Sequence, residues 1–166
     1  MSTKGAFKLA ASGDRDIVIT REFAAPRRLV GDAWTRPELL KRWLLGPPGW
    51  ALVVCDVDLR AGGRYRYEWK HADGRTMGMG GELTGIVPPE RIVATETFDE
   101  PWYPGGMVGT VQFTERGGRT TLTQTLRYDT KEARDAVLKS PMEAGVAMSY
   151  ERLAGIVEGD GAQGSR

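Results

Sequence analysis

Two polar residues sit where their neighbours are apolar. In RIVATETF (91–98), Ile92, Ala94, Glu96 and Phe98 recur at every second position. A strand turns alternate side chains to one face, so Glu96 points wherever Phe98 points. In TTLTQTLRY (120–128), Leu122, Gln124, Leu126 and Tyr128 repeat the pattern and bring Gln124 to the apolar side. A carboxyl in such surroundings pays heavily for ionising, so it finds a cation or its pKa rises. Arg21, on the face of Ile17, Ile19 and Phe23, is the candidate cation. A β-bulge beside Glu96 would turn it outward instead. Facing inward, Glu96 is suited either to orienting a ligand or to acting as general acid or base.

Other chemistries lack their residues. One histidine and one cysteine cannot supply a usual zinc set, and the chain has no GxSxG elbow for a nucleophilic serine. Its glycine pairs do not have phosphate-loop spacing. Cys55 lies on an apolar strand face and reads as core, and as a lone cysteine it forms no internal disulfide. His71 closes a strand beside a turn and reads as half-exposed. The chain carries 23 basic and 22 acidic side chains, a net charge of +1, so no basic excess points to nucleic acid. We expect no cofactor and no metal.

Aromatic residues supply the apolar counterpart. RYRYEWKH (64–71) sets Tyr65, Tyr67, Trp69 and His71 against Arg64, Arg66, Glu68 and Lys70. One face is all rings and the other all charge. Three large rings with polar ends need partners if buried, and a cavity supplies them. WTRPELLKRWLLGPPGW (34–50) holds three of the five tryptophans. Trp34 and Trp43 are expected to be core, and Trp50, after the Pro-Pro turn, to lie at a cavity rim.

The elements that must position these groups follow from periodicity. Residues 16–24 read as a strand. Pro26 and Pro37 open two short helices at a position proline favours. Strands follow at 51–59, 64–71, 76–87, 91–98, 107–115 and 119–128, with turns at AGG, ADG, PPE and RGG. Residues 131–158 read as helix, broken at Ser140-Pro141, with Met142, Val146, Ser149, Leu153 and Ile156 on one face. Six consecutive strands favour an antiparallel meander and an α+β class. A sheet of about seven strands should curve around the last helix, with the two short helices closing one end. Residues 1–15 read as a flexible segment and 16–158 as a single domain. Residues 159–166 read as a disordered tail. No leader or membrane span is read in the N-terminal residues, and a cytoplasmic location is expected.

Five stretches in series resemble a known family: TREFAAPRRLVGDAWTRPELLKRWLLGPPGW, VDLRAGGRYRYEW, GELTGIVPPERIVATETF, VQFTERGGRTTLTQTLRY and SPMEAGVAMSYERLAGIV. They are similar to the SRPBCC or START-like helix-grip superfamily, and within it to the C-terminal domain of the activator of heat-shock-protein-ninety ATPase. The resemblance implies a helix-grip fold and a hydrophobic small-molecule partner held between sheet and long helix. The chain departs from the family pattern at Leu44 and Pro141, two positions that the resemblance sets beside the cavity.

The favoured function is therefore binding of a small hydrophobic or aromatic molecule in a pocket of roughly 300–1,000 Å³. The expected lining is Trp50, Tyr65, Tyr67, Trp69, Met79, Glu96, Phe98, Phe113, Gln124, Met142, Val146 and Ser149. The glycines at 78, 80 and 81 are expected to leave the space empty. The alternatives are a cavity enzyme of cyclase or hydrolase type, with Glu96 as acid or base, and a chaperone-associated domain. The loop EPWYPGG (100–106) carries Trp102 and Tyr103, read as a lid or as a homodimer contact, with the dimer favoured.

Overall fold

The computed structural model describes residues 5–164, with side chains described as far as 159. Eight strands form one antiparallel sheet: β1 (Phe7–Ser12), β2 (Asp16–Phe23), β3 (Trp50–Val57), β4 (Arg64–His71), β5 (Thr76–Val87), β6 (Arg91–Phe98), β7 (Met107–Arg116) and β8 (Arg119–Tyr128). The order across the sheet is β1-β2-β8-β7-β6-β5-β4-β3. β3 to β8 form a continuous meander, as expected. β2 does not join β3; it pairs with β8, from Asp16↔Arg127 to Phe23↔Thr120.

This pairing sends the chain across the open side of the sheet between β2 and β3. The crossover is made of α1 (Arg27–Thr35) and α2 (Pro37–Trp43). Pro37 does open α2, where its missing N–H costs nothing. Pro26 stands one residue outside α1, as its N-cap. Val30, Ala33, Leu40 and Trp43 face inward and are fully or almost fully buried. The Trp43 indole donates to the Ala33 carbonyl at 2.9 Å, which locks the two helices together.

After β8, Thr130 caps α3 (Lys131–Lys139) by accepting from the Ala133 N–H at 3.1 Å. The chain breaks at Ser140-Pro141 and continues as α4 (Met142–Gly164). α4 packs on α1, α2, α3 and β2. Its Tyr150, Leu153 and Val157 are buried. Tyr150 meets Phe23 edge-on at 6.1 Å and Trp43 at 6.2 Å, so the aromatic core joins helix, crossover and sheet.

The structure differs from the sequence reading at both ends. FKLAAS was read as part of a flexible segment, but it forms β1, pairing with β2 from Phe7↔Arg21 to Ser12↔Asp16. Only one of its faces meets protein, so its apolar signal is weak: Phe7 and Leu9 pack against the core while their neighbours are exposed. The helix continues through 159–164, which were read as tail. Residues 1–4 and 165–166 lie outside the described residues.

Arg21 ties α4 to the sheet. It is 2% exposed, and its guanidinium donates to Glu151 on α4 at 2.9 Å and to the Glu22 carbonyl. The charge also lies 4.9 Å from the centre of the Phe23 ring. Glu151 is half-exposed, whereas Arg21 cannot reach water. Removing the carboxylate therefore strands a buried charge, whereas an apolar isostere of Arg21 strands nothing. We expect Glu151→Ala to cost roughly 1–3 kcal/mol and Arg21→Met under about 1 kcal/mol in urea unfolding. The opposite ranking would mean that the guanidinium is held by its packing and not by the pair.

Candidate functional site

The concave face of the sheet is not filled solidly. A cavity of about 180 Å³ lies between strands β3 to β8 and the crossover. Tyr65, Tyr67 and Trp69 of β4 form one wall. Met79 and Leu83 of β5 follow, then Ile92, Ala94 and Glu96 of β6. Met107, Gly109 and Val111 of β7 and Gln124 and Leu126 of β8 complete the sheet side. Trp34 and Thr35 of α1 and Leu44, just after α2, form the cover. Val57 and Leu59 stand at the edge, and Leu59 is 48% exposed, so the cavity meets solvent there.

The rings of β4 are held by their polar ends. Tyr65 donates to the Thr95 carbonyl at 2.6 Å, and Trp69 donates to the Leu44 carbonyl at 2.9 Å. Tyr67 sits between them, with centroids 5.0 Å from Tyr65 and 5.9 Å from Trp69. The β5–β6 register makes room for the first bond. It runs from Gly80↔Thr97 to Leu83↔Ala94 and leaves Thr95 and Glu96 without a partner on β5. Glu82 N–H instead meets the Thr95 hydroxyl at 2.9 Å.

Glu96 faces the cavity, and the register irregularity in β5 does not turn it out. Its Oε2 accepts from the Tyr103 hydroxyl at 3.0 Å. Burial pushes its carboxyl up to about 7, against the opposing pull of the Tyr103 bond. Arg21 is not its partner; that charge is committed to Glu151 at the β2 side of the sheet. Among the described residues Glu96 is the only ionisable carboxyl on the cavity wall, and no lysine, arginine or histidine lines it. Gln124 also lies on the wall, its Oε1 accepting from Tyr150 of α4. Trp34 carries the one buried side-chain polar atom among the described residues that lacks a partner, its indole nitrogen.

Of the expected lining, Tyr65, Tyr67, Trp69, Met79, Glu96 and Gln124 come together on the cavity wall. The others do not. Trp50 lies beyond the cavity, against His71 at 5.2 Å and under the Arg75 guanidinium at 5.4 Å. Phe98 leaves the wall to meet Trp102 at 5.9 Å and Tyr103 at 6.2 Å. Phe113 is buried beside a separate space of about 140 Å³ under Pro88 and Pro89. Met142, Val146 and Ser149 sit on α4, which packs over β2 and the short helices. The crossover, not α4, covers strands β3 to β6, so α4 touches the cavity wall through Tyr150 and Gln124.

Two further expectations change. The space is smaller than the sequence reading allowed. Gly78, Gly80 and Gly81 do not empty it; a Cβ on Gly78 would meet the Arg66 guanidinium and the Asp99 carboxylate, one on Gly80 would lie 2.6 Å from the Tyr65 carbonyl, and one on Gly81 would strike the Thr95 carbonyl. They let β5 approach its neighbours closely. Tyr103 is 6% exposed within its own chain, packed on Tyr128 at 5.2 Å, and so is not surface open to a second copy. Trp102 beside it is 48% exposed.

Sequence reasoning missed Trp34 and Leu44, because a helix stripe does not say whether it meets solid core or space. Met107, Gly109 and Val111 were findable: they alternate along β7 as Glu96 and its neighbours do along β6. His71 stands outside the cavity, accepting the Asp73 N–H at 3.1 Å. Burial pushes the Cys55 thiol up to about 11, which leaves it protonated and inert at neutral pH. Among the described residues no group of histidine, cysteine or carboxylate side chains could hold a metal ion. No described helix is long and apolar enough to cross a membrane.

A curved antiparallel sheet closed over by a C-terminal helix, with two short helices after its second strand, defines the helix-grip class. The chain belongs to the family described as Activator of Hsp90 ATPase homolog 1-like protein, whose model matches residues 24–158. A crystal structure of a Rhodobacter sphaeroides protein is similar at 31% identity and TM-score 0.87, covering 92% of this chain and 98% of that one. One from Chromobacterium violaceum is similar at 29% identity and TM-score 0.72, covering 87% and 97%. The solution structure of an AHSA1-like protein from Aeromonas hydrophila, at 24% identity and TM-score 0.67 over 87% and 94%, shares the fold. No curated protein matches the chain.

The raised carboxyl gives stability a definite pH dependence. Glu96 titrates near pH 4.3 in an unfolded chain and at about 7 here. Between those values the folded protein holds the extra proton, so stability falls as pH rises from about 4.5 to 7 and then levels. Glu96→Gln cannot ionise and keeps an acceptor for Tyr103. It should be more stable than wild type by roughly 1–3 kcal/mol at pH 8 and equal to it near pH 4.5. Denaturant titrations at the two pH values measure this; equal differences at both would mean that Glu96 ionises freely.

Proposed function

We propose that this protein binds a small hydrophobic or aromatic molecule in the cavity between sheet and crossover. The observation that carries the reading is the cavity wall itself: apolar and aromatic side chains around two polar groups, Glu96 and Gln124. Filling an apolar space is favourable, and a few placed polar groups then set orientation. The volume limits the ligand. An apolar cavity of about 150 Å³ is known to take benzene, so about 180 Å³ suits a molecule with a single ring. The family shares this fold, and fold alone does not assign an activity.

A second reading has one specific support. Glu96, with its carboxyl at about 7 and the Tyr103 hydroxyl 3.0 Å away, is suited to proton transfer in a reaction such as hydration or hydrolysis. If a turnover is found, Glu96→Gln should abolish its acidic or basic limb; an unchanged pH–rate profile removes that role.

Gly109 provides the test of binding. The nearest atoms to a Cβ there are of the Met107 and Leu126 side chains, at 3.6 Å and beyond, so a larger residue has room to point into the cavity. Toluene, benzyl alcohol and indole should each raise the Tm of the wild type, by several degrees at saturating concentration. Gly109→Leu should fold and lose the effect. Equal shifts in wild type and variant would locate binding outside the cavity, and no shift with any probe would end the proposal. Native mass spectrometry of the purified protein asks separately which molecule it carries.

A further inference from the structure

We propose that the preferred occupant of this cavity is a small hydrophobic cation, a protonated amine on a compact apolar body. The inference rests on the ligand-binding reading above and narrows its chemistry.

Among the described residues the wall has an aromatic box and a single source of charge. Trp34, Tyr65, Tyr67 and Trp69 all line the space. Tyr65 and Trp69 have their polar ends satisfied by Thr95 and Leu44, so what they offer a ligand is ring surface. Ring faces attract cations through their quadrupole, and attract them most where water is excluded. Glu96 stands in the same wall, and the groups that face it are all phenols: Tyr65 and Tyr67 from β4, Tyr103 from the β6–β7 loop and Tyr128 from β8. None brings a positive charge.

The three charge classes of ligand then separate. An anion would meet a carboxylate with no cation on the wall to offset it, and is rejected. A neutral molecule gains only apolar contact and one hydrogen bond with the carboxyl. An ammonium supplies the counter-charge that Glu96 lacks and offers its own charge to the rings. A buried carboxylate and a buried ammonium each cost much alone and offset one another when paired.

Pairing has a proton linkage with a definite sign. Below pH 7 Glu96 holds a proton that the ammonium must displace. Binding of a cation therefore releases a proton and weakens as pH falls, by up to about tenfold per unit. A neutral ligand releases no proton on binding. Alkylammonium groups titrate near pH 10, so the ligand itself stays charged throughout.

Calorimetry with three probes of like size tests this on the full chain: benzylamine, benzyl alcohol and benzoate. At pH 8 benzylamine should bind at least about tenfold tighter than benzyl alcohol, and benzoate should not bind. Benzylamine binding at pH 6.5 should release a proton, read from the difference in heat between two buffers. Glu96→Gln should erase both the preference and the proton release while still binding benzyl alcohol. Benzyl alcohol or benzoate binding as tightly as benzylamine at pH 8 overturns the cation and leaves the cavity reading intact. Tight benzylamine binding without proton release in the wild type overturns the role of Glu96, whether or not the variant folds. If toluene and indole also fail to bind, the ligand-binding reading falls with it.

Discussion

The pairing of β2 with β8 is the constraint on which everything else depends. β2 ends at Phe23 on one side of the sheet and β3 begins at Trp50 on its far edge. The chain between them must cross the concave face, and it does so as α1 and α2. The Thr120 hydroxyl on β8 fastens the start of the crossover, donating to the Ala25 carbonyl at 2.7 Å. Had β2 joined β3 as a hairpin, the concave side of β3 to β6 would have had no cover of its own. A long helix covers only part of a sheet this wide. The crossover covers the rest incompletely, and the cavity is the part left unfilled.

An unfilled apolar space forfeits packing contacts that a close-packed core would make. The surrounding polar groups are managed closely. Tyr65, Trp69 and Tyr150 all donate within the protein, to Thr95, Leu44 and Gln124. The skipped pairing of Thr95 on β5 provides Tyr65 with its acceptor, and glycine at 81 allows the strands to lie that close. Against this background two groups on the wall stand out: the Trp34 indole nitrogen, which has no partner among the described residues, and Glu96, an acid raised by burial with only a tyrosine hydroxyl for company.

The EPWYPGG loop is bound to this site and not to the outer surface alone. Tyr103 folds back to Glu96, Phe98 and Tyr128, while Asp129 accepts the Gly106 N–H at 2.8 Å. Gly105 has φ of 78°, and a Cβ there would press on Asp129, so glycine is needed where the loop closes.

Much of this was written in the sequence. Strict alternation in RYRYEWKH and RIVATETF determined which side chains share a face, and β4, β5 and β6 have the boundaries that pattern implies. Period-two geometry is local, so Tyr65, Tyr67 and Trp69 could be assigned to one side without knowing the fold, whereas Glu96 waited on whether a bulge intervened. β1 was not legible, because FKLAAS is stabilised by pairing with β2 more than by its own apolar pattern. Neither was the cover of the cavity. The stripe on α4 promises burial but does not name the surface that buries it. Met142 and Val146 found the core, while Trp34 and Leu44 found the space. Arg21 and Glu96 share an inward direction, yet only the strand order decided that α4, through Glu151, takes the arginine and leaves the carboxyl without a cation. Facing is a property of neighbouring residues; partnership across a curved sheet depends on how far apart its strands end up, and the tertiary structure alone decides that.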